Sequence, residues 1–197
     1  QVIDMPHSQW VLSKVTLTDG IKKSSTEAKS TYVTSYTYGS GYYSRAEREF
    51  YGFHTVTETR GSGSEAVSVV QTYENQDYHK KGLLVSAVTS DYQGKAYVAA
   101  ENQYNVKDGA MSESKFPHLT KTITSFYNVA AQAVAKTTSQ EYTSYDNYGN
   151  ITEYVDNADD GAADNVLASI RYDQSNESDY IVNRPVSIEV KNSSGAA

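Results

Sequence analysis

Tyr36-Thr37-Tyr38-Gly39-Ser40-Gly41-Tyr42-Tyr43-Ser44-Arg45-Ala46-Glu47-Arg48-Glu49-Phe50-Tyr51-Gly52-Phe53 is the stretch on which the fold class turns. Tyr36 and Tyr38 join Tyr32 on one face of a segment that alternates with period two, the spacing at which side chains of an extended chain point to opposite sides. Gly39-Ser40-Gly41 supplies residues that tolerate positive φ, so it reads as a hairpin turn. Phe50 to Thr57 then follows, apolar or aromatic on both faces. Strand, glycine turn and strand predict an antiparallel hairpin.

Working outward, the same grammar recurs. Val11, Val15 and Leu17 share a face with Lys14, Thr16 and Thr18 opposite, and so do Val166, Ala168, Ile170 and Tyr172, then Val186, Ile188 and Val190. Val67 to Tyr73, Leu83 to Thr89 and Leu119 to Tyr127 resemble Phe50 to Thr57 in being apolar on both faces, as expected of strands covered on both sides. Gly61-Ser62-Gly63, Gln93-Gly94 and Tyr148-Gly149-Asn150 supply further turns. Lys107 to Pro117 is the one plausible boundary, dividing the chain into strand-rich segments 1–108 and 109–197. Asn128 to Lys136 reads either as a short helix or as a loop leading into a strand near Gln140. The expected class is all-β, antiparallel hairpins forming a curved sheet, with more than about half the residues in strands.

Composition agrees. The chain has 197 residues, with 18 Tyr but only 4 Phe and 1 Trp, and tyrosine suits pleated, half-buried surfaces. That length suffices for a substantial core. Seventeen basic against 24 acidic residues, unclustered, argue against a nucleic-acid partner. No cysteine is present, which excludes a disulfide framework and thiolate-held zinc. The most apolar stretch, Val129 to Ala135, is far too short to span a membrane as a helix. A start at Gln1, with neither methionine nor leader, reads as a piece of something longer.

Few residues point to chemistry. His7, His54, His79 and His118 lie far apart, none in a metal-binding spacing, and no Gly-x-Ser-x-Gly elbow occurs. Glu47 and Glu49 could form an acid–base pair, but on a strand they would share a face with Arg48 opposite, which favours a structural role. No catalytic residue or organic cofactor is expected. The best metal candidate runs from Asp156 to Asp164 and resembles the calcium loop Asp-x-Asp-x-Asp-Gly-x-x-Asp, with Asp156, Asp160 and Asp164 as ligands. Ala158 stands where the central ligand should be, so an acidic hairpin loop in water is the other reading.

Tyr145-Asp146-Asn147-Tyr148-Gly149-Asn150-Ile151-Thr152 resembles the YD repeat, whose core is Tyr-Asp, two variable residues, then Gly-Asn and a β-branched residue. Ser90-Asp91-Tyr92-Gln93-Gly94-Lys95 keeps the Asp-x-x-Gly spacing, and Tyr172-Asp173 repeats Tyr-Asp. More specifically, the stretch ending Glu47-Arg48-Glu49-Phe50-Tyr51-Gly52-Phe53 is similar to the Glu-Arg-Glu-Phe-x-Gly-Phe region of RHS/YD-repeat proteins, the toxin-complex B components and SpvB-like virulence proteins. The resemblance implies a section of a hollow β shell that encloses a toxic C-terminal polypeptide, secreted or at the bacterial surface. Its implied partners are the remaining shell, the enclosed polypeptide and other toxin-complex subunits. The structural-motif residues it implies are Glu47, Arg48, Glu49, Phe50, Gly52, Phe53, Tyr145, Asp146, Gly149 and Asn150. Clustered tyrosines, which can stack on sugars, leave a surface adhesin or carbohydrate-binding domain as the alternative.

Overall fold

The computed structural model describes residues 8–20, 30–111, 113–159 and 164–192. Its strands are β1 (Lys14–Thr18), β2 (Thr31–Ser44), β3 (Glu49–Arg60), β4 (Val67–Tyr73), β5 (Leu84–Asp91), β6 (Ala96–Asp108), β7 (Lys115–Asn128), β8 (Ala133–Tyr145), β9 (Ile151–Asn157), β10 (Val166–Asp173) and β11 (Arg184–Asn192). They form one antiparallel sheet in chain order, β1 to β11, each strand hydrogen-bonded to its neighbours in sequence. The all-β expectation is borne out. Helix among the described residues is confined to two 3-10 turns, Gly63–Glu65 and Glu177–Asp179.

The chain divides into two compact units, Gln1–Ala99 with Tyr127–Ala133, and Ala100–Phe126 with Val134–Ala197. In the first, β2 and β3 form the longest hairpin, paired from Thr34 with Arg60 down to Ser44 with Glu49, and β4 and β5 extend it. In the second, β8, β9, β10 and β11 pair in succession. Hairpins in both units carry a register shift close to a tyrosine. The shifts fall at Tyr42/Tyr43, Thr72/Tyr73, Ser144/Tyr145 and Arg171/Tyr172, with a further one at Tyr142/Ser144. A bulge bends the strand and re-aims its side chain, so each tyrosine leaves the regular alternation just before the chain turns.

Two local expectations are corrected and an open one is decided. Gly39-Ser40-Gly41 is not the turn: Gly39 pairs with Thr55 and Gly41 with Phe53, so β2 runs straight through, with Ser40 at φ 53°. The chain turns instead at Arg45-Ala46-Glu47-Arg48, Arg48 taking φ 57°. Glu47 and Arg48 therefore sit in a turn, not on alternate faces of a strand. Between Asn128 and Lys136 there is no helix. The Asn128 carboxamide oxygen accepts from the Ala130 and Ala131 amides at 3.0 and 3.1 Å, making a tight turn, and β8 begins at Ala133, earlier than expected.

Among the described residues the expected core does not form. Among the described residues, Tyr51 and Val182 are the buried hydrophobic side chains, at 7% and 6% exposure. β4 and β7, apolar on both faces, are half-buried rather than covered. The reason is architectural, since the chain is spent on one sheet and a sheet buries a face only against a second layer. The accessible surface, 12816 Å², compares with roughly 9,200 Å² for an ordinary globular protein of this mass. Val186, Ile188 and Val190 on β11 remain more than half exposed.

Among the described residues β1 and β11 each have a strand neighbour on one side alone. Unpaired edges recruit strands from other molecules. The isolated chain should therefore associate as its concentration rises in analytical ultracentrifugation. A strict monomer over the whole range would mean that both edges are protected.

Candidate functional site

Two clusters gather the motif residues, one in each unit. The first is built where β2 and β3 depart from ideal pairing. Gly52 sits at φ 98°, a conformation that a side chain strains, although a Cβ there would meet nothing within 4 Å. Two carbonyls of this irregular backbone, those of Ser40 and Gly52, are met by a side chain from outside the hairpin. Asn75 in the β4–β5 loop supplies it, its amide nitrogen donating to Ser40 O at 2.9 Å and Gly52 O at 3.1 Å. Asn75 is 1% exposed, the most buried polar residue described, and its own Oδ1 has no hydrogen-bond partner. Around it pack Tyr51 against Tyr42 (5.6 Å between centroids), and Phe53 between Tyr38 and Phe50 (4.9 and 5.3 Å). Phe50 and Phe53 are half-buried.

Lys81 closes the corner. Its ammonium bonds the Glu49 carboxylate and lies 4.5 and 4.6 Å from the centres of the Tyr51 and Tyr78 rings. The Glu49 hydrogen bond is the main reason that the lysine's pKa lies above its ordinary value. A cation between two π faces and a carboxylate ties the β4–β5 loop to the start of β3. Glu49 is thus an ion-pair partner, and Glu47 contributes its amide to the Ser44 hydroxyl at 3.3 Å.

The second cluster is the Tyr-Asp turn between β8 and β9. Asp146 Oδ1 accepts from the amides of Tyr148 and Asn150, both at 2.9 Å, while Gly149 takes φ 88°. Asp91 repeats the device between β5 and β6, its Oδ1 accepting from the amides of Gln93 and Lys95 at 2.8 Å, with Gly94 at φ 80°. Asp173 keeps the first bond, to Ser175 N at 2.8 Å, and then pairs with Arg184. The echo read from sequence is therefore a shared carboxylate-capped turn. Asn150 also reaches beyond the turn, donating to Asp146 Oδ2 at 2.8 Å and to Val182 O at 2.9 Å, beside the buried apolar residue of this unit.

The preceding tyrosines act as clips. Tyr145 donates its hydroxyl to Leu119 O at 2.6 Å, Tyr172 to Ile151 O at 3.0 Å, and in the first unit Tyr38 donates to Leu12 O at 2.9 Å. Burial raises the pKa of Tyr145 and of Tyr172, with smaller effects of Tyr142 and Asp146 respectively. Tyr154 is pushed up to about 12, first by burial and then by the Asp156 carboxylate that its hydroxyl meets at 3.2 Å.

Among the described residues the histidines stand apart. His54 Nδ1 lies 2.6 Å from Tyr73 O, His79 packs on Tyr78, and His118 packs between Phe116 and Tyr145. His7 lies outside the described residues. Among the described residues no group of three metal-ligating side chains forms. Asp160 lies outside them, Asp156 is engaged by Tyr154 and Gln140, and Asp159 pairs with Lys136 at 2.7 Å. Sequence reasoning missed Asn75 and Lys81. The glycine inside the Phe50–Phe53 strand pattern was the available signal, because such a glycine marks a bulge or a close backbone approach.

The corner described first lies wholly within the segment that a family model matches. Residues 1–82 match the insecticide toxin TcdB middle/N-terminal region. The resemblance to toxin-complex B components is thereby borne out. Among solved structures, the Photorhabdus luminescens Tc holotoxin pore is similar to this chain with a TM-score of 0.61 at 11% identity, over 83% of this chain and 12% of that one. The TcdB2-TccC3-Cdc42 crystal structure gives 0.60 at 12% identity, over 85% and 12%. TcdB2-TccC3 gives 0.57 at 11%, over 85% and 13%. At such identity the likeness speaks for the fold, and the chain spans about an eighth of the solved chains' length. Among curated proteins none matches.

If Asn75 holds the corner of this TcdB-like segment, Asn75→Ala should cost about 1–3 kcal/mol by leaving two half-buried carbonyls without their donor. Gly52→Ala should cost about 1 kcal/mol or more through backbone strain, since no clash awaits its methyl group. Urea unfolding of both variants measures this. An Asn75→Ala midpoint equal to wild type would show that the corner does not depend on this side chain.

Proposed function

We propose that this chain is a wall section of an RHS/YD-repeat toxin-type protein and that its role is mechanical, forming part of a shell that encloses or delivers a toxic polypeptide. The observation that carries the reading is a long antiparallel sheet of one layer whose apolar side chains stay half-exposed. Such a sheet is not self-sufficient, and it fits a position where further strands extend its edges and an enclosed chain covers a face. The TcdB family match of residues 1–82 and the fold likeness to Tc toxin structures support this reading. On this reading segments 1–108 and 109–197 are parts of one larger secreted or surface protein, whose partners are the rest of the shell, the enclosed polypeptide and other toxin-complex subunits. Glu47 to Phe53 and Tyr145 to Asn150 are structural motifs, and the segment needs neither cofactor nor calcium.

The adhesin alternative loses its main support in the tyrosines. Neighbouring rings are tilted, 60° for Tyr42 with Tyr51 and 54° for Tyr142 with Tyr154, rather than coplanar around a groove. The hydroxyls of Tyr38, Tyr145 and Tyr172 are spent on backbone carbonyls. No helix of the described residues is long and apolar enough to cross a membrane.

A structure of the longer polypeptide should have strands from outside this segment paired with β1 and β11. The isolated chain should turn over no hydrolase, transferase or nucleotide substrate. An activity lost on substituting His54 or Glu47, or a sugar seated on the tyrosines, would count against the wall reading.

A further inference from the structure

His118 is a half-buried titratable group that the mechanical reading leaves unused. It lies on β7 in the second unit, its ring 4.8 Å from that of Tyr145 on β8 and 5.9 Å from that of Phe116 on its own strand. Its Nδ1 is enclosed and has no hydrogen-bond partner. A neutral imidazole tolerates this, because an unprotonated ring nitrogen forgoes only an acceptor's bond. A protonated ring carries a second donor and a charge, and the enclosed Nδ1 has no acceptor to receive that donor.

The charges around it sharpen the conflict. β6 presents Lys107, whose ammonium bonds Tyr145 O and repels a second cation. β8 presents Tyr145, a neutral phenol held to Leu119 O, the residue next to His118. On β7 itself, a backbone hydrogen bond at Phe116 is the one influence that favours the charged ring. Of the carboxylates next in sequence to these groups, Asp146 accepts from the amides of its own turn and Asp108 lies exposed, 3.9 Å from Lys115.

We propose that His118 is an acid-sensitive joint of the β6–β8 segment: protonation puts a cation against the Tyr145 ring and within the field of Lys107, with a donor at Nδ1 that has no acceptor, and loosens the clip that leads into the Tyr-Asp turn. Burial first, and Lys107 second, hold the His118 pKa below its ordinary 6.5. The unfolded chain therefore binds a proton at higher pH than the folded one. This contribution to stability is complete above about pH 6.5, falls as the pH drops below that value, and is lost once the pH passes the folded pKa. Acidification of a compartment or a medium would thus weaken this stretch of sheet.

The test is a ring-proton NMR titration of the whole chain, with thermal unfolding of wild type, His118→Phe and Lys107→Met between about pH 7.5 and about pH 5. The His118 resonance should titrate below 6.5, and Lys107→Met should raise its midpoint. The wild-type unfolding temperature should fall a few degrees further on acidification than that of His118→Phe. A His118 midpoint at or above 6.5, or equal acid sensitivity in wild type and His118→Phe, overturns the proposal. Should His118→Phe fail to fold, the wild-type titration and the Lys107→Met shift still decide it.

Discussion

The constraint on which this structure rests is lateral. Each strand from β2 to β10 satisfies its peptide groups against the strand before and the strand after it, and among the described residues almost no apolar side chain is fully buried to reinforce that ladder. A backbone hydrogen bond contributes only about 0.5–1.5 kcal/mol net, whereas fully burying a large aliphatic side chain contributes about 1.5–3 kcal/mol. A sheet without a second layer forgoes much of the larger contribution. Whatever interrupts the ladder therefore matters more here than in a two-layer domain.

The interruptions are where the specific side chains stand. Bulges beside Tyr43, Tyr73, Tyr145 and Tyr172 would leave peptide groups unmatched as the chain approaches a turn. Asparagine amides, tyrosine hydroxyls and aspartate carboxylates fill the gaps: Asn75 and Asn150 reach carbonyls, Tyr145 and Tyr172 clip to the preceding strands, and Asp91 and Asp146 gather turn amides. In each unit the buried apolar residue lies beside an asparagine bond, Tyr51 next to Gly52 O and Val182 at its own carbonyl. Polar groups thus do at the joints what a core does elsewhere. The composition, rich in tyrosine and poor in phenylalanine, follows from that division of labour.

Most of this fold was legible because period-two alternation is the direct imprint of a pleated sheet, and β10 and β11 were read from it without ambiguity. The Tyr-Asp turn was legible too, since Asp and Gly at that spacing carry their own local geometry. The Gly39–Gly41 turn was misread because glycine's tolerance of positive φ serves a strand irregularity as well as a turn, and only the pairing partners Thr55 and Phe53 distinguish them. Asn75 lay hidden because a buried polar residue in a loop has no period. The missing core could not be read from length, since length does not reveal whether a second layer belongs to the same chain. The strands apolar on both faces were the true sign, as they ask for neighbours that this sheet does not itself provide.

The central claim is that β1 and β11 are interior strands of a longer sheet, and hydrogen exchange at their outward amides tests it most directly. Residues 1–197 alone should be compared with the longer polypeptide, using β4 amides, paired on both sides within this chain, as the internal reference. The wall reading predicts fast exchange at β1 and β11 in the isolated chain, slowing by orders of magnitude in the longer one while β4 changes little. Equally fast exchange at β1 and β11 in both would contradict it and make this chain an independent domain.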